Sequence, residues 1–383
     1  MNRSSSDQME VSDLRDRIVR SLREQGFRVE NGTILPPEDL SKERVRKLHE
    51  QAVSHRIELA RGSLIRLEND LLRHIACGHE VLPSRVSPRL VEVLPGSREE
   101  LLFRYVSLHW SIPVSSGYGR RMRFLVVDDF NGKLIGVIGL GDPVFSLGPR
   151  DRWIGWTPSD RKIRLRHVMD AFVLGAVPPY SFLLCGKLVA MLAASDTIRA
   201  AFEKKYAGAR SVIQGNIHDG RLALITTTSA LGRSSVYNRL RFKGRLLYQS
   251  VGFTRGFGEF HFSNGLYEAI FQFVEKNFKP TAKQERWGRG FRNRREVVKK
   301  GLRAIGLSGD FLYHGINREV FVIPLAQNAR EFLRGEHAHL FWYYYSKDDM
   351  FEYFRDRWML RRAAWDNRYK VFDRESFRLW KQS

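Results

Sequence analysis

The sequence predicts a mixed α/β (α+β) fold built on a largely antiparallel sheet, and three observations carry that expectation. Two apolar runs, Arg123–Asp128 and Lys133–Leu140, flank Asp129-Phe130-Asn131-Gly132, and an Asn-Gly pair between such runs signals a tight hairpin. Two further runs rich in β-branched residues, Leu222–Thr228 and Arg318–Pro324, read as buried strands. Ahead of them the pattern is helical instead, so strands and helices are segregated along the chain.

Residues 1–98 form the helical N-terminal region. Leu14, Ile18 and Leu22 recur at helical spacing until Gly26, and Pro36-Pro37 punctuates. From Ser41 to Ile75, Val45, Leu48, Val53, Leu64, Leu67, Leu71 and Ile75 make an apolar stripe whose charged flank reads as a solvated face. Pro83, Pro88 and Pro95 mark the boundary to a mixed α/β core at residues 99–280. Gly136, Gly139 and Gly141 in the second hairpin strand allow a backbone or a ligand to come close, with a bulge as the plainer reading. Residues 160–175 read as helical or mixed, Ser181–Ser195 as a helix of small and apolar residues, and Asn264–Phe278 as a further helix. Residues 281–383 are basic and aromatic, a mixture suited to docking on a partner or on the core.

With 383 residues the chain is long enough for two or three domains. Its 64 lysines and arginines against 42 acidic residues give a formal charge of +22. Such an excess points to a polyanion, with DNA as the expected partner. Cys77 and Cys185 lie too far apart in sequence to imply a disulfide framework. His74, Cys77 and His79 lack an evident fourth ligand and end an apolar helical pattern, so no metal and no cofactor is expected. The first residues lack the apolar core of a signal peptide. The most apolar window, Val168–Ser195, is broken by Asp170, Pro178-Pro179 and Lys187, which argues for a cytoplasmic protein without a membrane span.

The densest local chemistry lies between Leu222 and Phe262. A strand followed by a Gly/Ser/Asn loop that opens a short helix leaves backbone N–H groups aimed at one spot, where an anion is favoured. Arg233, Ser234, Ser235, Asn238 and Arg239 make that loop a candidate phosphate cradle; ordinary Ser/Thr capping with solvated arginines gives the same pattern. Neither nucleotide-loop signature is present. Arg120 and Arg121, in Gly117-Tyr118-Gly119-Arg120-Arg121, can hold a phosphate beside a stacking ring, or be surface charge on a turn. Arg152 lies between two tryptophans, and Arg255 sits in a Gly-rich turn. Lys187, alone in an apolar helix, must reach water or an anion. Thr281–Lys300 carries Arg289, Arg292, Arg294 and Arg295 around Trp287 and Phe291, the strongest footprint for a phosphate backbone. For catalysis the candidates are Tyr237 as general acid and Ser234 or Ser235 as hydrogen-bond donors to a thioester carbonyl. Asp128, Asp129, Asp142 and Asp151 are available to a nuclease but show no Asp…Glu-x-Lys pattern.

Several motifs in order carry a resemblance. Leu108-His109-Trp110-Ser111-Ile112-Pro113, Gly141-Asp142-Pro143-Val144-Phe145, Arg150-Asp151-Arg152-Trp153-Ile154-Gly155-Trp156, Gly186-Lys187-Leu188 and the block from Thr226 to Arg239 resemble the DruA family of the bacterial Druantia anti-phage system. The resemblance implies a defence role beside a helicase-like partner, DruE, and other Druantia proteins, and supplies no reaction. A weaker likeness, to Mom-type DNA-modifying proteins, implies a GNAT-like core, although the pyrophosphate loop of acyltransferases is missing. Three functions follow as expectations: a nucleic-acid-binding subunit, a DNA-acting acyltransferase-like enzyme or nuclease, or an assembly scaffold.

Overall fold

In the computed structural model of the chain, residues 5–30, 33–115, 119–210, 215, 217–263, 265–279 and 294–380 are described. Eleven strands occur among them: β1 Arg28–Glu30, β2 Thr33–Leu35, β3 Pro88–Glu92, β4 Arg121–Asp128, β5 Lys133–Gly141, β6 Val168–Ala176, β7 Leu224–Thr228, β8 Arg241–Phe242, β9 Arg245–Leu246, β10 Gln249–Phe253 and β11 Glu319–Pro324. Seven form one sheet in the order β10-β11-β7-β6-β5-β4-β3. Each neighbouring pair is antiparallel except β6 and β7, which run parallel from Val168↔Leu224 to Asp170↔Thr226. The mixed α/β expectation with a largely antiparallel sheet therefore holds. Strands β3 and β11 come from the stretches before residue 98 and after residue 281, so all three sequence regions feed this sheet.

The hairpin between β4 and β5 closes where the Asn-Gly pair predicts. Gly132 takes a positive φ of 70°, and Asn131 Oδ1 accepts the Lys133 amide at 2.9 Å. Residues 160–175 are mixed, helical to Arg164 and then strand, because β6 fills most of their second half. Its sequence Val-Met-Asp-Ala-Phe-Val-Leu-Gly-Ala does not alternate, as expected of a strand covered on both faces. The short helix expected after Gly232 is a single 3₁₀ turn, Tyr237–Arg239.

On one face of the sheet, the Cys185–Leu192 helix buries Leu188, Val189 and Leu192 against Ile135, Ile138, Met169 and Ala171. This close packing explains Gly136: a Cβ there would fall 2.3 Å from the Gly175 carbonyl oxygen and 2.7 Å from Val189. On the other face, the Arg98–Ser107 helix packs Leu102, Phe103 and Val106 with Leu64, Leu71 and Ile75 against Leu125, Leu134 and Val137. The chain's last described residues join that layer through Phe377 and Trp380. Fully buried Glu68 holds them, accepting the Leu379 amide at 2.7 Å and the Tyr105 hydroxyl at 2.9 Å, with Arg378 at 3.5 Å. A separate core unites Leu14, Ile18 and Leu22 with Val45, Leu48, Ile270, Val274 and Leu302. Among the described residues no helix is long and apolar enough to cross a membrane.

Candidate functional site

The Lys42–Leu64 helix is the common wall of two adjoining clefts, of about 570 and 440 Å³, which share Arg56, Leu59, Ile112 and Pro113. Ser41 caps it by accepting the Arg44 amide at 3.3 Å, and Val45, Leu48 and Ala52 face the core. His49 lies on that same face, only 1% exposed.

Two loops floor the larger cleft, residues 254–258 after β10 and residues 313–318 before β11. They run side by side through a Phe257↔Tyr313 bridge and a Gly315 amide donated to the Gly256 carbonyl at 3.2 Å. Both glycines have positive φ, and a Cβ on Gly256 would lie 2.6 Å from the Ile316 nitrogen. The close approach of these loops brings His314 and Arg318 beneath the helix. Arg318 Nη2 donates to His49 Nε2 at 3.1 Å, and a guanidinium can only donate, so the His49 proton sits on Nδ1. His314 Nδ1 accepts the Ile316 amide at 3.1 Å, which leaves its proton on Nε2. Burial, then the charges of Arg318 and His261, pushes His49 down to about 3, and burial pushes His314 down to about 2. Arg318 has no carboxylate partner among the described residues, and burial lowers its pKa.

More guanidinium groups gather around the two clefts. Burial and the charge of Arg294 lower the pKa of Arg56, so two like charges are held together in the larger cleft. Arg294 stacks over Tyr267 at 3.5 Å. Arg104, Arg121 and Arg123 line the smaller cleft, where Arg123 pairs with Glu100 at 2.7 Å. Glu259 and Glu268 also line the larger cleft, and Glu259 is engaged by Arg295 at 3.2 Å.

Of the residues predicted from sequence, Arg294 and Arg121 line these clefts, Arg295 reaches a cleft residue, and Arg255 is exposed between Thr254 and Gly256 of the larger one. Arg289 and Arg292 lie outside the described residues. The serine turn is organised by a carboxylate of the protein itself. Glu319, 5% exposed, accepts the Ser234 amide at 3.1 Å, the Asn238 side chain at 3.2 Å and the Ser250 hydroxyl at 2.8 Å. Ser235, Asn238, Arg233 and Arg239 are exposed around it, with Arg233 5.8 Å from the Phe253 ring. Tyr237 stacks on Tyr248 at 4.5 Å, and burial pushes its phenol up to about 12. Lys187 is elsewhere, 4.7 Å from the Trp358 ring, its pKa lowered by burial and then by Arg357. Arg152 is exposed. Arg120 is an internal clamp: it pairs with Asp142 at 2.6 Å and donates to the carbonyls of Arg166 and Val168.

The four aspartates considered for a nuclease are each engaged separately: Asp128 by Tyr180 at 2.7 Å, Asp129 by Arg89 at 2.7 Å, Asp142 by Arg120 at 2.6 Å, and Asp151 by Arg150 at 2.7 Å. Sequence reasoning missed His49, Arg56, His314 and Arg318. The one available signal was a histidine between Leu48 and Ala52 on the apolar stripe of a helix.

A family model described as Druantia protein DruA matches residues 39–335. Druantia protein DruA of Escherichia coli (strain UMEA 4076-1) is 38% identical over 361 residues, which cover 94% of this chain and 89% of that relative. No solved structure matches.

Proposed function

The chain belongs to the DruA family, and on that premise we propose that this component of the Druantia anti-phage system binds nucleic acid through its two arginine-lined clefts, beside a helicase-like partner. One observation carries the reading: Arg56 and Arg294 line the same cleft, close enough for the charge of Arg294 to disfavour that of Arg56, in a protein of net charge +22. Like charges placed together in a cleft are stabilised by an anionic ligand, and a polymer of phosphates fits two adjoining clefts. Fluorescence anisotropy with single- and double-stranded DNA tests it. Affinity should fall steeply between about 50 and about 200 mM salt, and Arg56→Ala with Arg294→Ala should weaken binding about tenfold or more. Binding that is absent at low salt, or indifferent to both salt and these substitutions, overturns it.

One observation favours a second reading, acyl transfer to a DNA base on a GNAT-like core. Strands β6 and β7 run parallel and share a ladder of only three residues, a short parallel junction inside an otherwise antiparallel sheet. Mass spectrometry of DNA incubated with acetyl-coenzyme A and the protein distinguishes the two, since only the enzyme leaves a modified base.

A further inference from the structure

Unmet hydrogen-bond donors lie among the residues that line the larger cleft. His49 Nδ1 and Arg318 Nε are buried and have no hydrogen-bond partner among the described residues. His314 carries its remaining proton on Nε2, because its Nδ1 already accepts the Ile316 amide. A buried donor without an acceptor is costly, and a buried guanidinium without a counter-charge more so. All three residues line the same cleft, and Arg56 and Arg294 line it too. A site that offers donors and positive charge, and keeps them dry, is built for an anion.

We infer that Arg318 and His314, with Arg56 and Arg294 beside them, hold the terminal phosphate of a nucleic-acid strand, an inference that rests on the nucleic-acid reading and specifies what its larger cleft receives. Depth selects the ligand. His314 is 4% exposed, so the group that reaches it must enter end-on. A phosphodiester within a strand carries a sugar on both sides and cannot withdraw to that depth. A phosphomonoester is tethered on one side, presents three free oxygens, and carries a charge of about −1.5 to −2 at neutral pH. Arg318, Arg56 and Arg294 supply the opposing charge. Of the two carboxylates lining the cleft, Glu259 is held by Arg295, and Glu268 lies in the first turn of the Leu266–Asn277 helix.

The test uses the full chain and one single-stranded oligonucleotide sequence made with a phosphate or a hydroxyl at the 5′ end, and a matching pair differing at the 3′ end. AMP and adenosine serve as competitors. One end's phosphate should tighten binding about tenfold over its hydroxyl, as charge-assisted bonds to a dry site require, and AMP should compete where adenosine does not. Arg318→Met should bring that ratio to about one. Gly258→Ala provides the second variant, because its methyl would sit 3.5 Å from His314 Nε2 in ordinary contact and obstruct the donor without removing it. It should melt as the unsubstituted protein does and lose the same preference. Equal affinity for phosphate and hydroxyl at both ends, with a salt slope intact, overturns the inference and leaves the nucleic-acid reading standing. If no oligonucleotide binds, yet AMP and not adenosine raises the melting temperature of the unsubstituted protein but not of Gly258→Ala, the phosphate site stands and the nucleic-acid reading falls. If AMP is also without effect, both fall.

Discussion

Glu319 accepts the backbone amide of Ser234 at 3.1 Å, so a turn whose composition reads as an anion cradle folds around an anion the protein itself supplies. Asn238 and Ser250 donate to the same carboxylate, which ties the turn to the first residue of β11 and to the neighbouring strand β10. Removing the carboxylate leaves three donors to find water. Glu319→Ala should cost about 2–4 kcal/mol and release the Ser234 amide to hydrogen exchange. Glu319→Gln, which keeps one acceptor, should cost less. Urea unfolding with amide exchange checks both.

Arg120 looks from sequence like a phosphate contact, and its position argues for a different consequence. The side chain is 18% exposed, pairs with Asp142 and donates to backbone carbonyls at the start of β6. Arg120→Met should lower stability by about 2–4 kcal/mol, chiefly through the stranded carboxylate, and leave the salt slope of DNA binding unchanged. Arg56→Ala should do the reverse. Unfolding and anisotropy measured on both variants separate the roles.

Acid should destabilise the fold through its buried imidazoles. Burial pushes His49 down to about 3 and His261 down to about 4 in the folded protein, against an ordinary imidazole value of 6.5. Between those limits the unfolded chain takes up protons that the folded chain refuses, so stability falls as pH falls. Each such histidine should contribute about 1.4 kcal/mol per pH unit within that window, and nothing above about pH 7. Urea midpoints from about pH 7 down to about pH 5 test this, and a flat profile contradicts it.

Gly136 should resist substitution for a reason unconnected with turns. A methyl there meets the Gly175 carbonyl and Val189, so Gly136→Ala must push β5, β6 or the helix above them apart. A loss of about 1–3 kcal/mol is expected, against a near-neutral result at Gly62, where a Cβ meets nothing within 4 Å. Melting temperatures of the two variants provide the comparison.

Tyr237→Phe discriminates the enzymatic reading. The ring stacks on Tyr248 in either case, and a phenol pushed to about 12 holds its proton too firmly to be tuned for acid catalysis near neutrality. The variant should protect cells from phage as the unsubstituted protein does; loss of protection with stability intact revives acyl transfer.

Much of the fold was legible because local chemistry carried it. Asn131-Gly132 announced the hairpin, and β-branched runs located β7 and β11 to within two residues. Strand β6 was opaque because a strand buried on both faces loses the alternation that distinguishes it from a helix. The site was harder to read, because arginine-rich composition cannot tell a clamp such as Arg120 from a cleft residue such as Arg294. His49 and Arg318 are 269 residues apart, and nothing local marks either as the other's partner. Only the two glycines that let the floor loops touch bring them together.

Glu68 has a consequence for how the molecule is made. Its carboxylate waits for the amide of Leu379 and the guanidinium of Arg378, more than three hundred positions later. On the ribosome, the Glu68 carboxylate must therefore wait for these partners until residues 378 and 379 have emerged. Translation that stops short of that strap should release chains whose opening helices stay loose and open to proteases.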